Sequence, residues 1–365
     1  MKCRLLYVVG QLGPGGLERQ LYLLLQTMDR ERYQPRVVVW NYREDDTYVE
    51  PLRTLNIPLH FFPSCDSKYA KLKTFRQLVS RLQPEVIHSY TFYTNIAARY
   101  AALGRKTIAV GSVRSNFTND RKSCGFILGN LSARWPRIQI YNNLAGAKKA
   151  RRSYSPFAPK EVFVVRNALD LAQFSKVPLS TNGPTHILGI GSLLQLKRWD
   201  RLLCAASRLI QKGLDFQLEI AGGGPLRESL EQQARDLGVA DRVKFRGHTD
   251  NVQSSLAGST FLAHTSDIEG CPNVVMEAMA CGRAVVATNV GDIPFLVEEG
   301  KTGFIVDRRD NSELVDRLAT LINNRKLCSD MGEAGRVKAE REFACGRLVE
   351  QTLAVYRSFG WRHTG

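Results

Sequence analysis

Short apolar runs alternate with amphipathic stretches along nearly the whole chain. CRLLYVV (3–9), RVVVWNY (36–42), IPLHFFP (57–63), PEVIHSY (84–90), TIAVGSVR (107–114), IQIYNN (138–143) and EVFVVRN (161–167) read as strands. Between the first two lies LERQLYLLLQTM, with apolar side chains at 17, 21, 24, 25 and 28, the spacing of one helix face. TFRQLVSRLQ and TNIAARYAALG read the same way. The polar, turn-rich LSTNGP (179–184) breaks the pattern, which then restarts with HILGIGSLLQLKRWDRLLCAASRLI. DFQLEIA, RVKFRGHT, STFLAHTSD, RAVVATNVG (283–291) and GFIV continue it, and a helix is expected at about 345–358. Strand–helix alternation on both sides of one linker predicts an α/β protein of two doubly wound, Rossmann-like domains facing across a cleft. The expected limits are 1–175 and 176–345, with 346–365 as a tail packing back on the first domain.

The stretch DIEGCPNVVMEAMA (267–280) concentrates the candidate chemistry. It reads as a strand end, a glycine-containing loop, and a helix starting at Pro272 or Asn273 with Val274, Val275, Ala278 and Met279 on one face. Helix starts carry partial positive charge and suit a phosphate. Glu269 falls in the loop and Glu277 on the helix, about one turn inside. An anion held by amides and flanked by two hydroxyl-accepting carboxylates suggests a phosphorylated sugar compound. Upstream, the turn after the first strand carries Gly15 and Gly16, which let a backbone approach a ligand closely. Strand ends face the site in this architecture, which directs His88 to the cleft, although on local pattern a satisfied core histidine is the commoner fate.

Composition narrows the classes. With 365 residues, two domains at ~100–200 residues each are expected. No apolar run approaches the ~18 residues of a membrane span, and MKCRLLYVVGQLGPGG does not read as a secretory signal. The eight cysteines form no C-x-x-C pair and no metal-like spacing with histidine, which fits a reducing cytoplasm. Net charge is +16, and 27 Lys and Arg against 12 Asp and Glu in residues 1–175 give +15 of it. Such a surface attracts an anionic membrane, a pyrophosphate-linked molecule or nucleic acid. No zinc-finger or RNA-binding signature is present, so nucleic acid is the weakest of these options and is not expected as a partner. Residues 115–137 mix basic side chains with Phe117, Phe126, Ile127, Leu128 and Trp135, as an acceptor loop, a membrane-surface loop or an ordinary covering helix would.

Several segments together resemble the retaining family-four glycosyltransferases of the GT-B fold. RNALDLAQF (166–174) resembles N-G-x-D-x-x-x-F, with Ala168 at the usual glycine. GSLLQLKRWDRLL resembles G-R-L-x-x-x-K-x-x-D-x-L-L. AGGGPLRESLEQQARDLGVADRVKFRGH resembles the G-x-G-P segment and its following strand. SDIEGCPNVVMEAMACGRAVVATNVGDIPFLVEEGKTGFIV resembles the E-x7-E region. GPGGLERQL and PEVIHSY resemble G-G-x-E-x-x-L and P-D-x-x-H-x-H. Ser192 departs from the pattern where a phosphate-binding arginine is frequent, and Phe295 where a glutamate is frequent.

The resemblance implies a nucleotide-sugar donor bound mainly by the second domain. It implies Glu277 on the ribose hydroxyls, Gly247 and His248 near the base, and Lys197, with Arg198 adjacent, at the diphosphate beside Gly191 and Ser192. It further implies backbone N–H groups of Asn273 and Val274 at the phosphate, and Glu269, next to Gly270, on the sugar. Gly15, Gly16 and His88 would meet the donor from the first domain. The departing phosphate oxygen would take the acceptor's proton, and configuration would be retained. No cofactor is implied, and no metal is required, since Lys197 and the helix dipole fill that role. The acceptor expected from the basic first domain is a lipid-linked glycan or lipopolysaccharide core at the inner face of the cytoplasmic membrane. Rival readings are a GT-B epimerase or phosphorylase, or a non-catalytic sugar-nucleotide scaffold.

Overall fold

The computed structural model describes residues 3–62, 67–114, 117–152, 158–179, 183–249 and 251–361. Residues 115–116 of the basic-aromatic stretch, 180–182 of the expected linker and 362–365 of the tail lie outside the described residues. The chain divides into two compact units, 1–168 with 345–365, and 169–344. The division falls ahead of the expected 175 because Leu169, Leu171 and Phe174 pack in the second unit's core.

The first unit holds a seven-stranded parallel sheet. Its strands are β1 (Cys3–Val9), β2 (Tyr33–Val39), β3 (Leu59–Phe61), β4 (Val86–Ser89), β5 (Ile108–Val113), β6 (Ile138–Tyr141) and β7 (Glu161–Val164). Their order is β3-β2-β1-β4-β5-β6-β7. Successive side chains of a strand point to opposite faces, so a sheet covered on both sides needs an unbroken apolar run. Leu5, Tyr7 and Val9 enter one core, and Leu6 and Val8 the other. The helix Cys345–Ser358 belongs to this unit, and its Leu348, Leu353, Val355 and Tyr356 join the first of those cores.

The second unit repeats the plan with β8 (Thr185–Ile190), β9 (Phe216–Ala221), β10 (Val243–Gly247), β11 (Phe261–His264), β12 (Ala284–Thr288) and β13 (Gly303–Val306). Their order is β10-β9-β8-β11-β12-β13, all parallel. Here too Ile187 and Leu188, or Leu262 and Ala263, diverge into separate cores. In both sheets strand order reverses once, between β1 and β4 and between β8 and β11. The loops at the carboxyl ends of such a strand pair are where open α/β sheets bind ligands.

The basic-aromatic stretch forms two helices, Phe117–Ser123 and Phe126–Arg134. Phe126 and Ile127, at the start of the second, are 82% and 71% exposed. Among the described residues no helix is long and apolar enough to cross a membrane.

Candidate active site

Two loops meet at the reversal of the second sheet. One follows β8 and runs through Gly191 and Ser192 to a short turn, Gln195–Lys197, and the helix Trp199–Gln211. The other follows β11 and runs from Thr265 to Pro272, the cap of the helix Asn273–Ala280. Thr265 Oγ1 donates to the carbonyls of Lys197 (3.0 Å) and Arg198 (3.2 Å), and the Asp267 amide donates to Leu196 O (2.8 Å). A third loop, after β9, closes on the first. The Leu193 amide donates to Gly223 O (2.8 Å), and a side chain at Gly222 would collide with the Gly191 carbonyl. That approach requires glycine at position 222.

This lacing brings Lys197 and Glu269 together. Lys197 Nζ lies 2.5 Å from Glu269 Oε1, and both side chains are mostly buried, at 19% and 13% exposure. The same oxygen accepts from Ser266 Oγ at 2.8 Å and stands 3.1 Å from His264 Nε2. Burial alone would raise the Glu269 pKa. The His264 hydrogen bond and the charges of His264 and Lys197 outweigh it and hold the carboxyl down at about 2. The site thus keeps the Glu269 carboxylate ionised and fixed against the Lys197 side chain.

Arg198, expected beside Lys197 at the diphosphate, is held by two carboxylates. It sits in the left-handed region (φ 54°), with its guanidinium on Asp200 (2.9 Å) and Asp267 (2.9 Å). Arg201 shares Asp267 (2.8 Å) and donates to Thr265 O (2.7 Å). A cavity of about 430 Å³ beside them is lined by Arg198, Arg201, Asp267, Arg308, Arg309 and Asn311.

The remaining second-unit candidates fall at loop ends of the same sheet. Asn273 and Val274 open the helix Asn273–Ala280, the end at which a helix presents partial positive charge. Glu277 lies on that helix and is 3% exposed. The helix is buried almost all round rather than on the single face expected, because its run offers no polar face. The Gly270 carbonyl accepts from the Asp292 amide (2.9 Å), and the Gly247 carbonyl, at the end of β10, from the Gly222 amide (2.7 Å). His248 follows β10 on the exposed surface. Ser192 takes part through its backbone, its carbonyl accepting from Trp199 Nε1 (3.0 Å). Among the described residues no cluster of His, Cys, Asp and Glu is arranged to hold a metal.

In the first unit, Gly15 and Gly16 stand where the loop after β1 meets the helix Gly16–Thr27, and the Glu18 side chain folds back over Gly15. His88 corrects the expectation of a donor-facing residue. It is 1% exposed and locked inside its own unit, Nδ1 2.6 Å from Tyr356 Oη and Nε2 2.9 Å from Ser112 Oγ. Burial, followed by the charge of Arg114, pushes its pKa well below the ordinary value, so the ring is neutral. Both nitrogens serve the fold.

Two family models match end to end: "Glycosyltransferase Family 4" over residues 14–173 and "Glycosyl transferases group 1" over 172–338. The chain belongs to the family 4 glycosyltransferases. This family member is 29% identical over 187 residues to N-acetyl-alpha-D-glucosaminyl L-malate synthase of Bacillus anthracis, covering 51% of this chain and 49% of that one. It is 34% identical over 170 residues to an uncharacterized glycosyltransferase of Haemophilus influenzae, covering 46% and 48%. The chain thus spans about half the length of these relatives. In fold it is similar to Anabaena HepE in complex with UDP, with a TM-score of 0.81, 21% identity, and coverage of 98% of this chain and 100% of that one. The GT-B fold follows from that likeness and from the two parallel sheets.

Sequence reasoning missed His264, Ser266, Asp267 and Arg201. His264 left one signal, a titratable side chain closing an otherwise apolar strand at the sheet's reversal. The other three became legible only once the loops after β8 and β11 were seen to interlock.

Proposed function

We propose that this family member is a retaining glycosyltransferase that moves a sugar from a nucleotide-sugar donor to a glycan or lipid-linked glycan. The observation that carries this reading is the Lys197–Glu269 pair at the reversal of the second sheet, beside the start of the helix Asn273–Ala280. Glu277 accepts from the ribose hydroxyls, a charge-assisted geometry suited to a buried carboxylate. Lys197 and the first amides of that helix face the diphosphate, the leaving group. Charge growing on the leaving phosphate then meets a fixed cation and fixed dipoles, usually the largest source of catalytic stabilisation. Glu269, held as an anion by Ser266 and His264, accepts from sugar hydroxyls and sets the donor's orientation. The bond from the anomeric carbon to the phosphate oxygen breaks and the acceptor oxygen bonds on the same face. The acceptor's proton passes to the departing phosphate oxygen.

The UDP bound to HepE makes UDP the first nucleotide to try. Melting temperatures with UDP, GDP, ADP and CMP, on wild type and Glu277→Ala, test the donor site, since a ligand of the folded state stabilises it by RT ln(1 + [L]/Kd). A shift with one nucleotide that is smaller in the variant supports the site and names the base. No shift with any of them counts against a nucleotide-sugar donor.

The acceptor is a lipid-linked glycan or lipopolysaccharide core of the bacterial cell surface, met at the cytoplasmic membrane. Residues 117–152 carry eight Lys and Arg against one acidic residue, around the exposed Phe126–Ile127–Leu128 tip. Apolar side chains flanked by cations suit an anionic interface. Flotation with anionic vesicles should show binding that falls with salt, and absence of binding at low salt would refute the membrane contact.

A further inference from the structure

We propose that Arg114 of the first unit binds an oxyanion, a carboxylate or a phosphate, carried by the acceptor. The assignment to an acceptor rests on the transfer reading above. The oxyanion site itself rests on the geometry of this unit.

Arg114 directly follows β5, and Tyr90 directly follows β4, so both stand at the carboxyl edge of the first sheet. The Arg114 guanidinium carbon lies 4.0 Å from the centroid of the Tyr90 ring. Its Nε, Nη1 and Nη2 are each screened from water and have no hydrogen-bond acceptor among the described residues. Among the described residues the hydrogen bonding of Arg114 is through its backbone, its carbonyl accepting from Asn142 Nδ2 at 2.9 Å. Stacking on a ring uses the guanidinium's face and leaves its five N–H groups, which lie in the plane, for a separate acceptor.

Removing a charge from water without an opposite partner costs several kcal/mol, and a fold in need of packing alone is served as well by Met or Leu. Among the described residues, His88, Tyr90 and Tyr356 beside it do not supply the counter-charge. His88 is a neutral ring held by Tyr356 and Ser112, and Tyr90 and Tyr356 are buried phenols whose pKa values burial raises. A planar fork of donors matches a carboxylate or a phosphate with two parallel hydrogen bonds. The unit's charge, 30 Lys and Arg against 12 Asp and Glu, draws such a group in.

The test compares melting temperatures of wild type and Arg114→Met in sodium chloride, phosphate and malonate at matched ionic strength. General salt effects, and phosphate bound at the donor site, act on both proteins and cancel in the difference. Wild type should gain about 3 °C more than the variant in at least one oxyanion at saturation. Phosphate alone or malonate alone as the effective salt tells which class the acceptor carries. In chloride the variant should melt at or above wild type, since an uncompensated charge has gone. Arg114→Lys, which keeps the charge and loses the fork, should retain part of the response. Equal oxyanion responses in wild type and Arg114→Met would overturn the proposal. So would a variant that melts far below wild type in chloride or fails to fold, because the guanidinium would then serve the fold. The UDP shift, run in parallel on both proteins, should be unaffected by the substitution. Its absence from both would sink the donor reading and leave the oxyanion result standing.

Discussion

The two units share a strand order around their reversal and differ in how they hold charge. The second unit carries 21 Lys and Arg against 23 Asp and Glu, and its site charges are matched: Lys197 with Glu269, and Arg198 and Arg201 with Asp267. The first unit carries a net charge of +18, and at the same edge of its sheet Arg114 has no acceptor among the described residues. Matched charges hold a geometry before any ligand arrives, so little reorganisation is left for the reaction. An unmatched charge awaits the group that completes it.

The comparison breaks most visibly at Lys197. Lys197→Ala should lower transfer by about 10²–10³-fold, because leaving-group charge loses its cation. Steady-state rates with the donor identified by melting would check it, and an unchanged rate would remove Lys197 from the phosphate. Next in size is acid sensitivity. A carboxyl whose folded pKa lies below its unfolded one stabilises the fold above the unfolded pKa, and that contribution is lost as pH falls through the folded pKa. For Glu269 the window runs from 4.5 to about 2. The loss is about 3 kcal/mol at 1.36 kcal/mol per unit. Urea midpoints across that range should slope less in Glu269→Gln than in wild type.

His88 sharpens the contrast from the other side. His88→Leu strands Ser112 Oγ in the core, leaves Tyr356 Oη with its long contact to Tyr7 Oη (3.5 Å), and should cost about 2 kcal/mol of stability. UDP affinity should stay unchanged, and a large loss of nucleotide binding would return His88 to the donor. The smallest effect is expected at Glu277, where loss of the ribose contacts in Glu277→Ala should weaken nucleotide affinity about tenfold, by calorimetry.

The strands and the loop-to-helix start at 267–280 were legible in the sequence because they depend on local pattern. Val37, Val38 and Val39 read as strand whatever lies beside them, and E-x7-E around a helix start marks its own register. What the sequence hid are pairings between distant segments. His88 meets Tyr356 across 268 positions, and nothing near PEVIHSY announces a phenol for its ring. Arg198 follows Lys197 and looks equally available, yet Asp200 and Asp267 claim it. Glu277 reads as a residue of a helix with one apolar face and lies instead in a helix enclosed on nearly every side.

The helix Cys345–Ser358 has a consequence for biosynthesis. Leu348, Leu353, Val355, Tyr356 and Trp361 help fill the core that Leu5, Tyr7 and Val9 line from one face of the first sheet. On the ribosome that face emerges early, while its cover follows only after the whole second unit. At roughly 5–20 residues per second the delay is about 10–35 s. During that interval the nascent first unit presents apolar surface and unsatisfied core positions, whereas residues 169–344 hold everything their own sheet needs. The inserted unit is therefore the one expected to mature first, and chaperones should be caught on the amino-terminal segment until translation passes residue 361.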